Sequence, residues 1–427
     1  MINMVSCEKK LRTLMLAVFL VVTLLVSILA ANIVSVSGAV TPTASPPPIV
    51  WQREFMGGNG SSIYQLRDGG YIFNAVNESA TFLVRVDGLG NLELTKTIQI
   101  GQKPTVLPYF VKASDGGYAF AGVLDNMYAL VKTDSEGNLL WNKTYISDTP
   151  ITYMRAMIET SDGGFALAGF GQMVFEGEGW SWFARTDASG NLLWNETLSR
   201  PFLDCPSAII QEPDGGFTLS DVIFSLEPNY AFFRLVRTDQ NGKVLWSQTY
   251  GDEDKYRVPE CNTVIATSEG GYLIAGWLVG RNAWVVKTDA VGKMLWNQTY
   301  GERNSAVVCV QQTKDCGYIL AAVQNVTDAW ILKTDSTGNK AWNITFTGAT
   351  FYGELEANYN FVIQTKDSGF VVLGTKDGNV WLAKLVYPER NPLSLPQVQV
   401  AIAVAVIAVA ALFGFSLTRR WSKRKSI

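Results

Sequence analysis

Histidine is absent from all 427 residues. Without an imidazole there is no Ser-His-Asp or Cys-His nucleophile and no histidine-liganded zinc, so acid–base chemistry would fall to carboxylates. Cysteine is sparse, with five residues at positions 7, 205, 261, 309 and 316. Charge is sparse too, at 17% of residues against 48% apolar, for a net of −3. That charge is unevenly placed. Lys9, Lys10 and Arg12 against Glu8 at one end, with Arg419, Arg420, Lys423, Arg424 and Lys425 at the other, contribute +7, which leaves −10 for everything between. An acidic middle lacks the basic patch that nucleic acid requires, so no nucleic-acid partner is expected. Asp252-Glu253-Asp254 reads as a solvated loop rather than a calcium site. Neither a metal nor a cofactor is implied.

The ends are where the long apolar runs stand. Residues 1–39 carry the basic start, an apolar run from Leu14 to Val36 and the small residues Ser37, Gly38 and Ala39. This is the pattern of a signal peptide cleaved near Ala39, with an uncleaved signal anchor as the alternative. A Pro-rich linker follows at 40–48. Residues 398–417 are uncharged and long enough for a transmembrane helix, and the basic tail 418–427 marks the cytoplasmic side. The expected protein is thus a single-pass membrane protein whose ectodomain, 49–388, lies outside the cell above a short stalk at 389–397. In that oxidising setting Cys205 and Cys261, at matching places in neighbouring repeats, form a candidate disulfide. Cys309 and Cys316 share a hairpin but are offset along it.

Between the ends the chain repeats itself. Asp/Glu-Gly-Gly-Tyr/Phe starts at Asp68, Asp115, Asp162, Asp214, Glu269, Asp315 and Asp367, with Cys316 and Ser368 in place of the first Gly in the last two copies. A repeat of roughly 40–50 residues built of short strands indicates a β-propeller. In the fifth copy the pattern predicts strands A to D at Asn262–Thr267, Tyr272–Gly276, Ala283–Thr288 and Lys293–Tyr300, with Gly-bearing turns after A and C. The C–D turns open on Asp134, Asp187, Asp239, Asp289 and Asp335, and they read as structural turns. Trp141, Trp194, Trp246, Trp296 and Trp342 hold one place in strand D; Trp182, Trp284, Trp330 and Trp381 hold one in strand C. They are expected to pack blade on blade. The seventh copy has no strand D of its own, while Val50-Trp51-Gln52-Arg53-Glu54-Phe55-Met56-Gly57 matches that strand. The expected fold is all-β, a seven-bladed propeller closed by an N-terminal strand completing the last blade, plus the C-terminal transmembrane helix.

These units, Asp-Gly-Gly-Tyr and then Trp-Val-Val-Lys-Thr-Asp-Ala-Val-Gly-Lys-Met-Leu-Trp-Asn-Gln-Thr-Tyr-Gly, resemble a family of secreted repeat proteins of archaea and bacteria. The resemblance implies a cell-surface β-propeller and no particular activity. A more distant likeness is to quinoprotein propellers, from which this chain departs in a shorter turn, seven blades rather than eight and no adjacent Cys pair.

Short, repetitive A–B and C–D turns share one face, and the variable B–C and D–A loops share the other, where function is expected. The longest loops are expected at Phe170–Ser181, Asp221–Tyr230, Tyr250–Cys261 and Phe346–Tyr359. They and the preceding D–A loop bring Tyr153, Arg155, Trp180, Tyr256, Arg257 and Tyr352 forward as candidate ligand contacts, aromatics with Arg suiting a protein or a sugar. Asn59, Asn77, Asn142, Asn195, Asn297, Asn325 and Asn343 lie in glycosylation sequons, of which Asn59, Asn77 and Asn325 are placed in loops. The composite expectation is a non-enzymatic surface binding or adhesion module for an extracellular protein or glycan. A carboxylate-based glycosidase or lyase, a redox propeller and a structural envelope glycoprotein are the alternatives.

Overall fold

A computed structural model of the chain describes residues 45–387, except 102, 147–150, 173–178, 198–204, 226–229, 252–259, 279–281, 303, 326 and 352–359. The leader, stalk, proposed membrane helix and tail lie outside that range, and among the described residues no helix is long and apolar enough to cross a membrane. The strands there form seven antiparallel sheets of four or five strands. Blade 5 runs Glu260–Ala266, Tyr272–Leu278, Asn282–Thr288 and Met294–Tyr300, within a residue or two of the sequence pattern. Innermost strands pack in a closed cycle from blade 1 through blade 7 and back to blade 1. The seventh blade is completed by Ile49–Gly57, antiparallel to Asn379–Leu385, with Gln52 opposite Ala383 and Arg53 opposite Leu382.

The two glycines of the repeated motif do different work. The first adopts positive φ, as at Gly116 (91°), with open space where a Cβ would stand. Its requirement is conformational, so Cys316 and Ser368 take its place in two copies, at φ of 60° and 61°. The second glycine leaves no room. A Cβ on Gly117 would strike the carbonyl oxygen of Thr133, and the same clash recurs at Gly317 and Gly369 in the copies that lost the first glycine.

The motif Asp ties its turn to strand C. Asp68, Asp115, Asp162, Asp214, Asp315 and Asp367 pair with Arg85, Lys132, Arg185, Arg237, Lys333 and Lys384 at 2.5–3.0 Å. In blade 5 the longer Glu269 turns across the seam instead, accepting from Gln312 (2.8 Å) and Tyr318 (2.9 Å) of blade 6.

Blade meets blade through the strand-D Trp. A Cβ on Gly190, Gly242, Gly292 or Gly338 would collide with Trp141, Trp194, Trp246 or Trp296 of the preceding blade, and one on Gly90 would meet Trp51 of the closing strand. The C–D turn glycine therefore serves as both a positive-φ residue and a seat for an indole. Tyr145, Tyr250 and Tyr300 add hydroxyl bonds of 2.5–2.8 Å to the same turns. A side-chain clamp also crosses most seams: Glu159, Gln211, Gln312, Gln364 and Gln65 accept from the A–B turn amides of Ser114, Ser161, Ser268, Lys314 and Lys366. At the blade 4–5 seam that clamp is missing on both sides. Pro213 has no amide hydrogen, and the residue that would accept from it is Ala266. Glu212 substitutes by accepting from Tyr272 (2.7 Å) and Thr218 (2.5 Å).

Candidate functional site

Each Asp opening a C–D turn spends its carboxylate on its own backbone. Asp134 accepts from the amides of Glu136 (2.9 Å) and Asn138 (2.8 Å), and Asp187 from those of Ser189 and Asn191. The side chains and amides of Asn138 and Asn191 hold these two carboxyls below their ordinary value. Such groups are occupied as scaffold, which directs attention to the opposite, loop-bearing face.

There the innermost strands carry a bulge seven residues before the motif Asp, at Ser61, Arg155, Ser207, Asn262 and Val308. A bulge re-aims a side chain, and most of these side chains are polar. Several join neighbouring blades: Ser61 donates to Pro108 O at 2.9 Å and Asn262 to Val307 O at 2.7 Å. Asn360, at the corresponding place in blade 7, donates to Ile63 O at 2.8 Å.

Arg155 is the cation of this set. Its strand, Ile151–Glu159, continues the chain further than the sequence suggests, so Tyr153 and Arg155 stand on a strand rather than in a D–A loop. Arg155 is buried with its guanidinium 5.5 Å from the centroid of the Tyr153 ring, and that ring stacks on Phe170 at 6.1 Å. Tyr153 is 43% exposed, a rigid aromatic surface with a cation behind it.

Beside this ladder the repeat breaks its own rule. Opposite a strand-C Trp, strand B normally places a small residue: Gly169 with Trp182, Gly276 with Trp284, Ala322 with Trp330, Gly374 with Trp381. At the blade 2–3 seam the small residue makes room for Tyr128, which lies flat on Trp182 with centroids 4.0 Å apart. In blade 4 the same two places hold Asp221 and Arg234. Asp221 is fully buried and accepts from Arg234 Nε at 2.8 Å, with a second bond from Nη2. Blade 3 has Ser181 where blade 2 has Tyr128 and blade 4 has Phe233. It too is fully buried, and its hydroxyl has no hydrogen-bond partner among the described residues. An apolar ring stack has been exchanged at one seam for a serine, a carboxylate and a guanidinium. A buried ion pair is weaker support than packed apolar groups, so its presence at a single seam is a mark of something besides stability. Strands B and C are also extended here, at Phe165–Gln172 with Gly179–Thr186 and Phe217–Ser225 with Tyr230–Thr238.

The other sequence candidates fare unevenly. Trp180 falls in the strand Gly179–Thr186, its backbone opposite Gly171, not in a loop. Asp221–Ser225 likewise belongs to a strand. Tyr256, Arg257, Tyr352 and Asp252-Glu253-Asp254 lie outside the described residues, as do the larger parts of the D–A loops of blades 4 and 6. Cys205 and Cys261 carry no disulfide. Counted from the motif Asp they are one residue out of step, Cys205 pairing with Val222 and Cys261 with Gly276, so they project to opposite sides of their strands. Cys261 is buried among Ala208, Val222 and Phe233, and burial, with the Asp221 carboxylate acting in the same sense, pushes its thiol up to about 12.

Among the sequons placed in loops by the sequence, Asn77 and Asn325 stand in turns and Asn59 does not. Asn59 begins a strand, half-buried, and accepts from Thr375 at 3.0 Å. Asn77 caps its turn by accepting from the amides of Ser79 and Ala80. Asn142, Asn195, Asn297 and Asn343 are exposed on outer strands, and Asn325 is exposed at a B–C turn.

Comparison with known proteins gives the fold alone. No family model and no curated protein matches the chain. A solved streptogramin B lyase aligns with a TM-score of 0.51 at 11% identity, over 78% of this chain and 97% of its own. The WD40 domain of Toxoplasma gondii coronin aligns at 0.48 and 10% identity, over 82% and 90%. The likeness to the lyase is one of fold, a β-propeller. That architecture serves binding and catalysis alike.

Proposed function

We propose that this chain is a cell-surface binding module of the secreted-repeat type, anchored by 398–417, which takes a glycan or protein ligand on its loop face over blades 3 and 4. One observation carries the reading: blades 3 and 4 abandon the apolar seam of their neighbours for Ser181, Asp221 and Arg234, next to the exposed Tyr153 backed by Arg155. An aromatic face with fixed charge nearby suits a sugar ring or a peptide carrying acidic or hydroxyl groups. The scaffold supports a rigid site, since blades 3 and 4 are tied to their neighbours by the seam contacts described above. Glycans at Asn325 would occupy blade 6 and leave blades 3 and 4 open.

The test is a binding screen with the purified full chain against envelope glycans and proteins, with hydrolysis of the same material followed in parallel. Saturable binding that falls at least about tenfold in Tyr153→Ala and in Arg155→Lys, at unchanged thermal midpoint, is the expected result. Turnover that disappears in a loop-face carboxylate variant would replace this reading with a surface enzyme.

A further inference from the structure

The opposite rim of the propeller carries a second pattern. Every outer strand has a bulge at its first turn, one residue before the strand-D Trp or its equivalent. The extra residue is Val50, Leu140, Leu193, Leu245 and Leu295 in five blades, Glu93 in blade 1 and Ala341 in blade 6. The five aliphatic side chains are exposed to nearly the same extent, 55–59%. Ile49, Leu139, Leu192, Val244 and Met294 stand exposed beside them. Scattered exposed leucines need no explanation, but a position that the backbone bulges to present, filled with an aliphatic residue in five blades, forms a belt.

The path of the chain indicates what meets that belt. Val386 donates to Pro48 O at 3.2 Å at the place where the other blades make their C–D turn. The chain therefore enters and leaves the propeller on the face that carries the belt, beside Ile49 and Val50, and the uncharged run 398–417 follows shortly after Tyr387. The carboxylates on this face are largely engaged by turn amides or by strand-C cations, so the acidic turns are not naked charges against a headgroup layer.

We infer that the turn face rests on the lipid bilayer, with Leu140, Leu193, Leu245, Leu295 and Val50 reaching the boundary between headgroups and acyl chains, and the loop face directed away from it. Aliphatic side chains on a rigid rim are the kind of anchor such a boundary accepts. The inference rests on the reading of 398–417 as a membrane span, and its test separates the two.

The full chain is reconstituted in phosphatidylcholine vesicles containing a diazirine-bearing phosphatidylcholine, irradiated, and mapped by peptide mass spectrometry; a parallel sample is extracted with alkaline carbonate. Expected are carbonate-resistant protein and lipid adducts on the peptides bearing 139–140, 192–193, 244–245 and 294–295, with none on the loop-face turns at 125–126 and 325. A Leu140→Ser, Leu193→Ser, Leu245→Ser, Leu295→Ser variant, checked for an unchanged circular dichroism spectrum, should stay carbonate-resistant and lose the rim adducts. Adducts confined to 398–417 in resistant protein, or adducts on the loop face, would overturn the bilayer contact while leaving the anchor standing. Release by carbonate would overturn the anchor and the contact together.

Discussion

At the scale of single residues, the repeated motif separates conformational from steric demands. Gly116→Ala adds a side chain in open space at positive φ and should cost about 1–2 kcal/mol. Gly117→Ala drives a Cβ into the Thr133 carbonyl and should cost clearly more, with urea midpoints of the two variants giving the order. Ser368→Gly should gain up to about 1 kcal/mol by releasing a serine held at 61°. The turn aspartates predict an acid limb. Asp134 and Asp187 titrate below their ordinary 3.8 when folded, so their contribution is fully present above that value and is lost as pH falls through the depressed one. A double Asp134→Ala, Asp187→Ala variant should be less stable than the parent at neutral pH and converge with it in acid. Urea midpoints measured from about pH 7 to about pH 2 check the convergence. This scale was the most legible in the sequence, because turn chemistry is local. The exception is Cys205 and Cys261, where similar loop position suggests equivalence while their spacing to the motif acid differs by one residue, which the strand register turns into opposite sides of the strand.

At the scale of elements, Trp51 does for the closing strand what Trp141 does within the repeat. Trp51→Ala, which empties the seat against Gly90, should cost about 3–5 kcal/mol in chemical denaturation. Closure could be read from the sequence, since the missing strand and its match at the N-terminus are both written there. The Asp221–Arg234 pair was not recognised in the same way. Its signal was present, a charged pair at places the other copies fill with small residues and mostly with Trp, but it acquires meaning only once the register makes the two residues partners. Removing one charge strands the other: Asp221→Gly alone should cost about 3–5 kcal/mol. Adding Arg234→Trp restores the pairing of the other blades and should recover much of that loss. A double-mutant cycle of unfolding free energies measures the coupling, and near-additive effects would contradict the exchange described for this seam.

At the scale of the whole molecule, the two faces differ in construction. Turn aspartates, seated indoles and clamped amides make one face a scaffold, and the bulged aliphatic rim lies along it. The other face gathers Tyr153, Arg155, Ser181, Asp221 and Arg234 over two blades. Loop variability in the sequence points to this face, but not to these residues, because Trp180 and Asp221 continue the strands where the pattern predicts loop. The most direct measurement of this division is backbone hydrogen exchange of the full chain with and without a ligand captured in the binding screen. The account predicts added protection in peptides covering 151–155, 179–182 and 230–234, with turns such as 134–138 and 187–191 unchanged. Protection centred on those turns, with the blade 3–4 peptides unaffected, would contradict it.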